Sequence, residues 1–428
     1  MRITTCLNNL NKLLDLKSLK LLDHYSQFNP SPLSIKQFME FGRSATEPES
    51  FLFLRKEIPV RLSNIMKEIN LLPGNLLQMP SVLILQDWYA QSFRDISSFE
   101  SREPNLETLE EFCTMLKTVQ ARHTNVVQTM AQGVLELKES HLVDNQTDMA
   151  IQYFLDRFYM SRISIRMLIH QHTLLFEENA DKDTKRVGII DPTCKVKSVI
   201  MEAFTNAAFL CEEYYTIAPE IEIKGLTKMV NEKGKKVALS LCYPPPHLYH
   251  ILFELFKNSM RATVETHGTK SELPTVEVLV AKGEHDVSIR VSDQGGGIPR
   301  HITDHLFHYL FSTAPRPSMT PSKAPLAGYG YGLPLSRLYA RYFHGDLILN
   351  SYDGYGTDAV VYLKALTHEA NELLPVFNKT STKQYKTAVP TADWTDPSYC
   401  VSRGSKSLSS KLKENLSEEY KLSRSGDQ

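Results

Sequence analysis

At 428 residues the chain has room for about two or three domains of ordinary size, each with its own core. Its hydrophobic share of 42%, charged share of 23% and formal net charge of -1 are those of a water-soluble globular protein, and they exclude a global field that would draw in nucleic acid or an anionic membrane. The six cysteines lack CxxC or other ligand-like spacing, which argues for a reducing compartment rather than a zinc site or disulfide framework, and no apolar run approaches the ~20 residues that span a bilayer.

Residues 1 to 22 form an amphipathic stretch, with Leu10, Leu13, Leu14 and Leu21 set against Arg2, Lys12, Lys17 and Lys20. They read as a targeting segment or a leading helix, and Asp15 together with the scarcity of arginine favours the helix. From Ser31 the periodicity is helical. In SPLSIKQFMEFG, Ser31 is the expected N-cap, Pro32 the first helical position and Gly42 the stop. Leu54, Ile58, Leu62, Ile65 and Ile69 then recur every three or four residues, and Pro59 is expected to kink or delay that helix. Further stripes run through Leu109, Phe112, Leu116 and Val119, then Val126, Met130, Val134 and Leu137, then Ile151, Phe154 and Phe158 on to Ile165, Leu168 and His172. Together they predict an antiparallel helical bundle over residues 23 to 180.

After Asp191 and Pro192 the pattern changes to that of an α/β sandwich over residues 190 to 366. A helix near 195 to 215 precedes the β-like runs IEIK (221 to 224) and VALSLCY (237 to 243), with the turn-forming NEKGKK between them. Pro244 to Pro246 stop the second run, and HLYHILFELFKNSMRAT follows as a helix. VEVLVAKG and VSIRVSD form one expected hairpin, and DLILNSYDGYGTDAVVYLKAL a second, turning at Gly354 and Gly356. Residues 367 to 400 read as an irregular C-terminal arm, and the Ser- and Lys-rich stretch 401 to 428 is expected to be disordered.

Three patches carry chemistry. Glu254 and Asn258 stand one helical turn apart with Arg261 next on the same face, His250 lies four residues before Glu254, and Leu252, Phe253, Leu255 and Phe256 surround that polar stripe. Taken singly, each is as well explained by a solvated helix face. In VSDQGGGIP, Asp293 ends an alternating strand, where a carboxylate can accept a hydrogen bond from the exocyclic amine of adenine; Gly295 to Gly297 then let a planar ring approach the main chain. A plain turn is the competing reading. Gly328, Gly330 and Gly332 sit immediately before an amphipathic helix with Pro334 in its first turn, an arrangement of amides suited to a triphosphate, and 313 to 327 reads as a lid. The chain holds no GxxxxGK[ST] P-loop, no HRD or DFG set and no GxSxG elbow.

The order of helix motif, DxGGG, GxGxG and GTDA resembles the N, G1, G2 and G3 boxes of the GHKL superfamily. The likeness is closer to the mitochondrial pyruvate dehydrogenase kinases, through PSPLSIKQF, FLRKEIPVRL, PTCKV, TMAQGV, IQYFLDRFYMSRISIRML, LFELFKNSMRATVE, STAPRP, APLAGYGYGLPLSRLYARYF and YGTDAVVYLKAL, across about residues 24 to 395. The resemblance implies a helical bundle followed by a GHKL (Bergerat-type) ATP-binding fold. It implies that Asn258 coordinates Mg2+ on the phosphates of ATP, within a nucleotide-binding helix run of Glu254, Leu255, Phe256, Lys257, Asn258, Ser259, Met260 and Arg261. Asp293 would bind adenine with Gly295, Gly297 and Thr357 around it, and Gly328, Tyr329, Gly330, Tyr331, Gly332 and Leu333 would wrap the triphosphate, with Ser312 and Thr313 adding contacts. Glu254, assisted by His250, would be the general base toward a serine of the pyruvate dehydrogenase α subunit.

The same resemblance implies a pocket for the lipoyl domain of the dihydrolipoyl acetyltransferase core at Leu33, Phe38, Phe41 and Phe53, whose spacing fits core packing equally. It also implies a regulatory pocket for pyruvate-like acids at Tyr89, Ser92, His123, Ser161, Arg162 and Arg166. There the chain departs from the family's Arg-x-Arg-His, reading Gln120, Ala121, Arg122 and His123, and sensitivity to such acids is expected to weaken. Asp393 and Trp394 match an arm that crosses to the partner of a homodimer, and the location implied is the mitochondrial matrix. Two alternatives stay open: a branched-chain α-ketoacid dehydrogenase kinase, and a GHKL ATPase or nucleotide-gated switch.

Overall fold

The computed structural model describes residues 13–176, 186–225, 229–230, 236–237, 239–268, 272–313 and 330–378. The chain opens with α1 (Leu16–Tyr25), whose N-cap Asp15 accepts from the Ser18 amide at 3.0 Å. Helix α2 (Ile35–Ser44) begins three residues later than the Ser31 expectation. Ser34 wins the cap because Gln37 stands three residues on and completes a capping box, whereas the Ser31 amide turns to Glu57 at 2.9 Å. Gly42 lies inside this helix rather than ending it.

A second capping box, Thr46 with Glu49, starts α3 (Glu47–Ile69), which runs through Pro59 without interruption. The short α4 (Gly74–Leu77) leads to α5 (Pro80–Ser97), α6 (Leu106–Arg122), α7 (Val126–Ser140) and the long α8 (Asn145–Leu175). Asn105 and Asp144 cap α6 and α8 by accepting amides at 2.8 Å each. Every apolar position of the stripes read from the sequence is buried. Helix α3 packs on α5 and α8, α6 on α8, and α5 on α7. Aromatic edges fill the seams, with Phe51 against Phe112 at 4.9 Å and Phe154 stacked on Phe158 at 5.4 Å between ring centres.

Beyond the helices, β1 (Asp191–Lys195) feeds α9 (Val196–Tyr215). The strands β2 (Ile221–Lys224), β3 (Met229–Val230), β4 (Lys236–Val237) and β5 (Ser240–Tyr243) come next, followed by α10 (Pro245–His267). Then come β6 (Val276–Lys282), β7 (Asp286–Asp293), the single turn α11 (Arg300–Thr303), α12 (Gly332–Arg341), β8 (Asp346–Tyr352) and β9 (Gly356–Lys364). Five strands form one sheet in the order β2, β6, β7, β9, β8; β2 runs parallel to β6 and the other pairs are antiparallel. Both expected hairpins are present. Strands β1 with β5 and β3 with β4 make two smaller antiparallel pairs.

Strand parity decides the face on which Asp293 lies. Val287, Ile289 and Val291 of β7 are buried on the face that α10 covers, and Asp293, two residues further on, shares that face. After β9 the chain returns to the helices. Ala370 accepts from the Ile35 amide at 3.0 Å, and Glu372 exchanges hydrogen bonds with Leu33. The fully buried Arg61 forks onto Glu372 at 2.8 and 2.9 Å and reaches Glu57 at 2.8 Å. Among the described residues no helix is long and apolar enough to cross a membrane.

Candidate active site

Helix α10 is the floor of the site. Prolines supply its first turn, where a missing amide costs nothing, and Leu248, Ile251, Leu252, Leu255, Phe256 and Met260 bury one flank. The other flank carries the polar stripe. The Glu254 carboxylate lies 2.8 Å from Lys257 Nζ, which also sits 5.0 Å from the centre of the Phe253 ring. Half-buried Asn258 follows one turn on. Arg261 pairs with Glu265 at 2.9 Å and reaches the Thr313 hydroxyl at 3.4 Å, beside Ser312.

His250 faces the ring of Tyr339 at 4.7 Å, and its Nε2 is buried without a hydrogen-bond partner among the described residues. Burial pushes its pKa down while the Glu254 charge pulls it back up, so the influence between the two is electrostatic.

Asp293 is buried at the end of β7. Its Oδ1 accepts the Gly295 amide at 2.9 Å, and the Ser259 hydroxyl and the Thr357 backbone also bond to it; burial nonetheless raises its carboxyl pKa. The glycines around it are there for space. A β-carbon on Gly295 would stand 2.5 Å from that of Ala262, and one on Gly356 would stand 2.0 Å from the Asp293 carbonyl oxygen. Gly297 has φ of 72°, and a β-carbon there would meet the Tyr352 carbonyl oxygen at 2.0 Å. Thr357 pairs with Asp293 across the sheet and bonds Ser351 at 2.8 Å.

The third wall is the start of α12. Gly330 has φ of 68° and accepts from the Leu310 amide at 3.1 Å; Tyr331 is buried, Leu333 half-buried. A β-carbon on Gly332 would lie 2.4 Å from Glu254 Oε2, so the glycine loop rests directly on the carboxylate. Gly328 and Tyr329 lie outside the described residues. Along α10 the fold therefore gathers a strand-end carboxylate bonded to Ser259, a helix N-terminus whose Gly332 touches Glu254, and that carboxylate with the Asn258 amide one turn on. Ser351 and Tyr339 carry no motif signal and take their places only through the fold.

Residues 244–367 match the family described as histidine kinase-, DNA gyrase B- and HSP90-like ATPase, and residues 32–191 match that described as mitochondrial branched-chain alpha-ketoacid dehydrogenase kinase. The mitochondrial [pyruvate dehydrogenase (acetyl-transferring)] kinase of Drosophila melanogaster is 56% identical over 382 residues, 88% of this chain and 92% of that one. Isozyme 3 of Homo sapiens is 54% identical over 384 residues, 89% of this chain and 94% of its own length. A probable kinase of the same name from Caenorhabditis elegans is 50% identical over 375 residues, 88% and 92% of the two chains. The chain belongs to the mitochondrial pyruvate dehydrogenase (acetyl-transferring) kinase family. It is an ATP-binding enzyme of the GHKL fold.

In this kinase Tyr89, His123, Arg162 and Arg166 line one small cavity with Val119, Gln120, Ile165 and Ile169. Ser92 meets it through His123, at 3.0 Å from Nε2, while Ser161 is buried and does not line it. Burial and the neighbouring guanidinium of Arg162 lower the pKa of Arg166, and burial holds His123 down to about 4. Where the family pattern has an arginine, Gln120 bonds His170; Arg122 is tied to Ser92 and Asp95, both at 2.7 Å. Leu33, Phe41 and Phe53 are half-buried on α2, α3 and the loop before them, and Phe38 is buried. Asp393 and Trp394 lie outside the described residues.

Proposed function

We propose that this kinase transfers the γ-phosphate of Mg-ATP to a serine of the pyruvate dehydrogenase α subunit in the mitochondrial matrix, inactivating it and restraining the conversion of pyruvate to acetyl-CoA. The observation that carries the reading is the contact of the Gly332 backbone with the Glu254 carboxylate, which sets the phosphate-binding helix start against a base. Asp293 takes the adenine amine between the glycine turns, and the amides from Gly330 to Leu333 receive the phosphates. Glu254 accepts the proton of the serine hydroxyl as its oxygen bonds the γ-phosphorus, and the bond from that phosphorus to the bridging oxygen of ADP breaks.

Magnesium takes one or two protein oxygens and draws its other ligands from phosphate and water. The Asn258 amide oxygen would hold it, and the ion would neutralise charge on the transferring phosphoryl group. Burial keeps His250 neutral near pH 7, so it shapes the surroundings of Glu254 without adding a second positive charge beside Lys257.

For partners, the half-buried Leu33, Phe41 and Phe53 around the buried Phe38 support a lipoyl-domain site. A homodimer is supported by the sheet face opposite α10, where Ile348, Tyr352 and Tyr362 are exposed, together with the Asp393 and Trp394 motif. The cavity at Arg162 and Arg166 supports regulation by a small acid. The family match over residues 32–191 keeps a branched-chain α-ketoacid dehydrogenase kinase as the alternative reading, to be assayed beside the first.

Glu254→Gln is the test of the base. It keeps size and hydrogen bonding, so ATP affinity should hold while phosphate transfer falls by about 10²–10⁴-fold. Transfer at the unmodified rate would remove Glu254 from the chemistry.

A further inference from the structure

Helix α8 lies in the helical layer, yet one of its faces bears on the nucleotide site. Gln152, Asp156 and Tyr159 are spaced four and three residues apart and so point the same way. Opposite them stands Tyr309, a buried residue just before the Leu310 to Gly330 hydrogen bond. The Gln152 amide clamps both polar groups of that one residue's backbone, its Oε1 accepting the Tyr309 N–H at 2.7 Å and its Nε2 donating to the Tyr309 carbonyl at 3.4 Å. The Tyr309 hydroxyl donates to Asp156 at 2.8 Å. Tyr159 completes the contact, with ring centres 5.4 Å from Tyr309 and 5.8 Å from Tyr331, and Tyr309 itself lies 5.4 Å from Tyr331.

The residues so held are not at ease. Leu310 carries φ of 64°, a left-handed conformation that a residue with a β-carbon avoids. Gly330 opposes it at φ of 68°, so close that a β-carbon would stand 2.7 Å from the backbone of Leu310 and Phe311. A backbone in that conformation persists when its surroundings over-determine it, and the Gln152 clamp with three packed tyrosine rings does so.

We propose that Gln152, Asp156 and Tyr159 form a bracket from the helical layer that positions Gly330 and Tyr331, within the phosphate-binding turn, for nucleotide. They are positioning residues, since they act through Tyr309 and Tyr331, and the inference rests on reading that turn as part of the ATP site. Gln152→Met keeps length and helix propensity but removes the clamp. Asp156→Asn keeps a partner for the Tyr309 hydroxyl and serves as the conservative variant.

In the full-length protein, Gln152→Met should raise the KM for ATP and the Kd for ADP by about tenfold, with kcat within about twofold and the nucleotide-free melting midpoint little changed. Asp156→Asn should stay close to the unmodified protein. An unchanged Kd in Gln152→Met, or a loss of melting midpoint and kcat with KM constant, would overturn the bracket. Asn258→Ala separates the two readings: if it leaves ADP binding intact the site assignment fails, whatever Gln152→Met does.

Discussion

At Gly356 and Gly332 a single added atom would press directly on Asp293 and on Glu254. One more carbon at Gly356 must move either β9 or the Asp293 backbone, because it would stand 2.0 Å from a carbonyl oxygen that belongs to a strand. We expect Gly356→Ala to weaken ATP binding by about tenfold or more, as overpacking of a close backbone contact does, with titration of nucleotide into the protein as the check. Binding at full strength would show that Asp293 and Gly356 do not define the adenine end. At Gly332 the neighbour is the tip of the Glu254 side chain, which can swing aside, so a methyl there bears on catalysis more than on binding. The glycines themselves were legible as GGG, GYGYG and GTDA, and Asp293 followed from strand alternation. What each glycine touches was not legible, since Ala262, Tyr352 and Leu310 come from three other elements.

At the scale of elements, the helices followed their apolar stripes closely because a helix buries whatever recurs at its period. Helix α2 is shifted at both ends: Ser34 replaces Ser31 as the cap because Gln37 completes a capping box, and the helix runs past Gly42 to Ser44. Pro59 sits within an unbroken α3, where burial along most of the helix outweighs the loss of one backbone bond. The seam between helices and sheet was invisible in the sequence, for Arg61 and Glu372 are 311 residues apart and each alone reads as a surface charge. Their pairing predicts a large cost. Glu372→Ala leaves a fully buried guanidinium with Glu57 as its remaining carboxylate beside the Ser31 and Ser164 carbonyls, and should destabilise the fold by about 3–5 kcal/mol in denaturant unfolding. A change below about 1 kcal/mol, the range of exposed pairs, would mean that water reaches Arg61 after all.

Across the whole molecule, buried histidines set the acid limit. Burial lowers His123 and His172 from the ordinary 6.5 to about 4 and His247 to about 3. Below 6.5 the unfolded chain binds protons that the folded chain refuses, so each contributes stability that is full above that pH and declines as pH falls toward 4. The slope is about 1.4 kcal/mol per pH unit for each histidine. Glu68 and Asp293, whose carboxyl pKa values burial raises, act in the opposite sense and soften the decline. The melting midpoint should therefore drop between pH 7 and pH 5, and a flat profile would contradict the neutral, buried state of these rings.

On this reading the site around Glu254 is a protein kinase site for pyruvate dehydrogenase and not only an ATPase. The direct measurement is to incubate the full-length protein with the pyruvate dehydrogenase complex and magnesium plus ATP labelled at the γ-phosphate, then to locate the label by peptide mass spectrometry. Label should appear on a serine of the α subunit, with dehydrogenase activity falling in step with it, and neither should occur with Glu254→Gln. ATP bound and consumed with no label on any dehydrogenase subunit would contradict that reading.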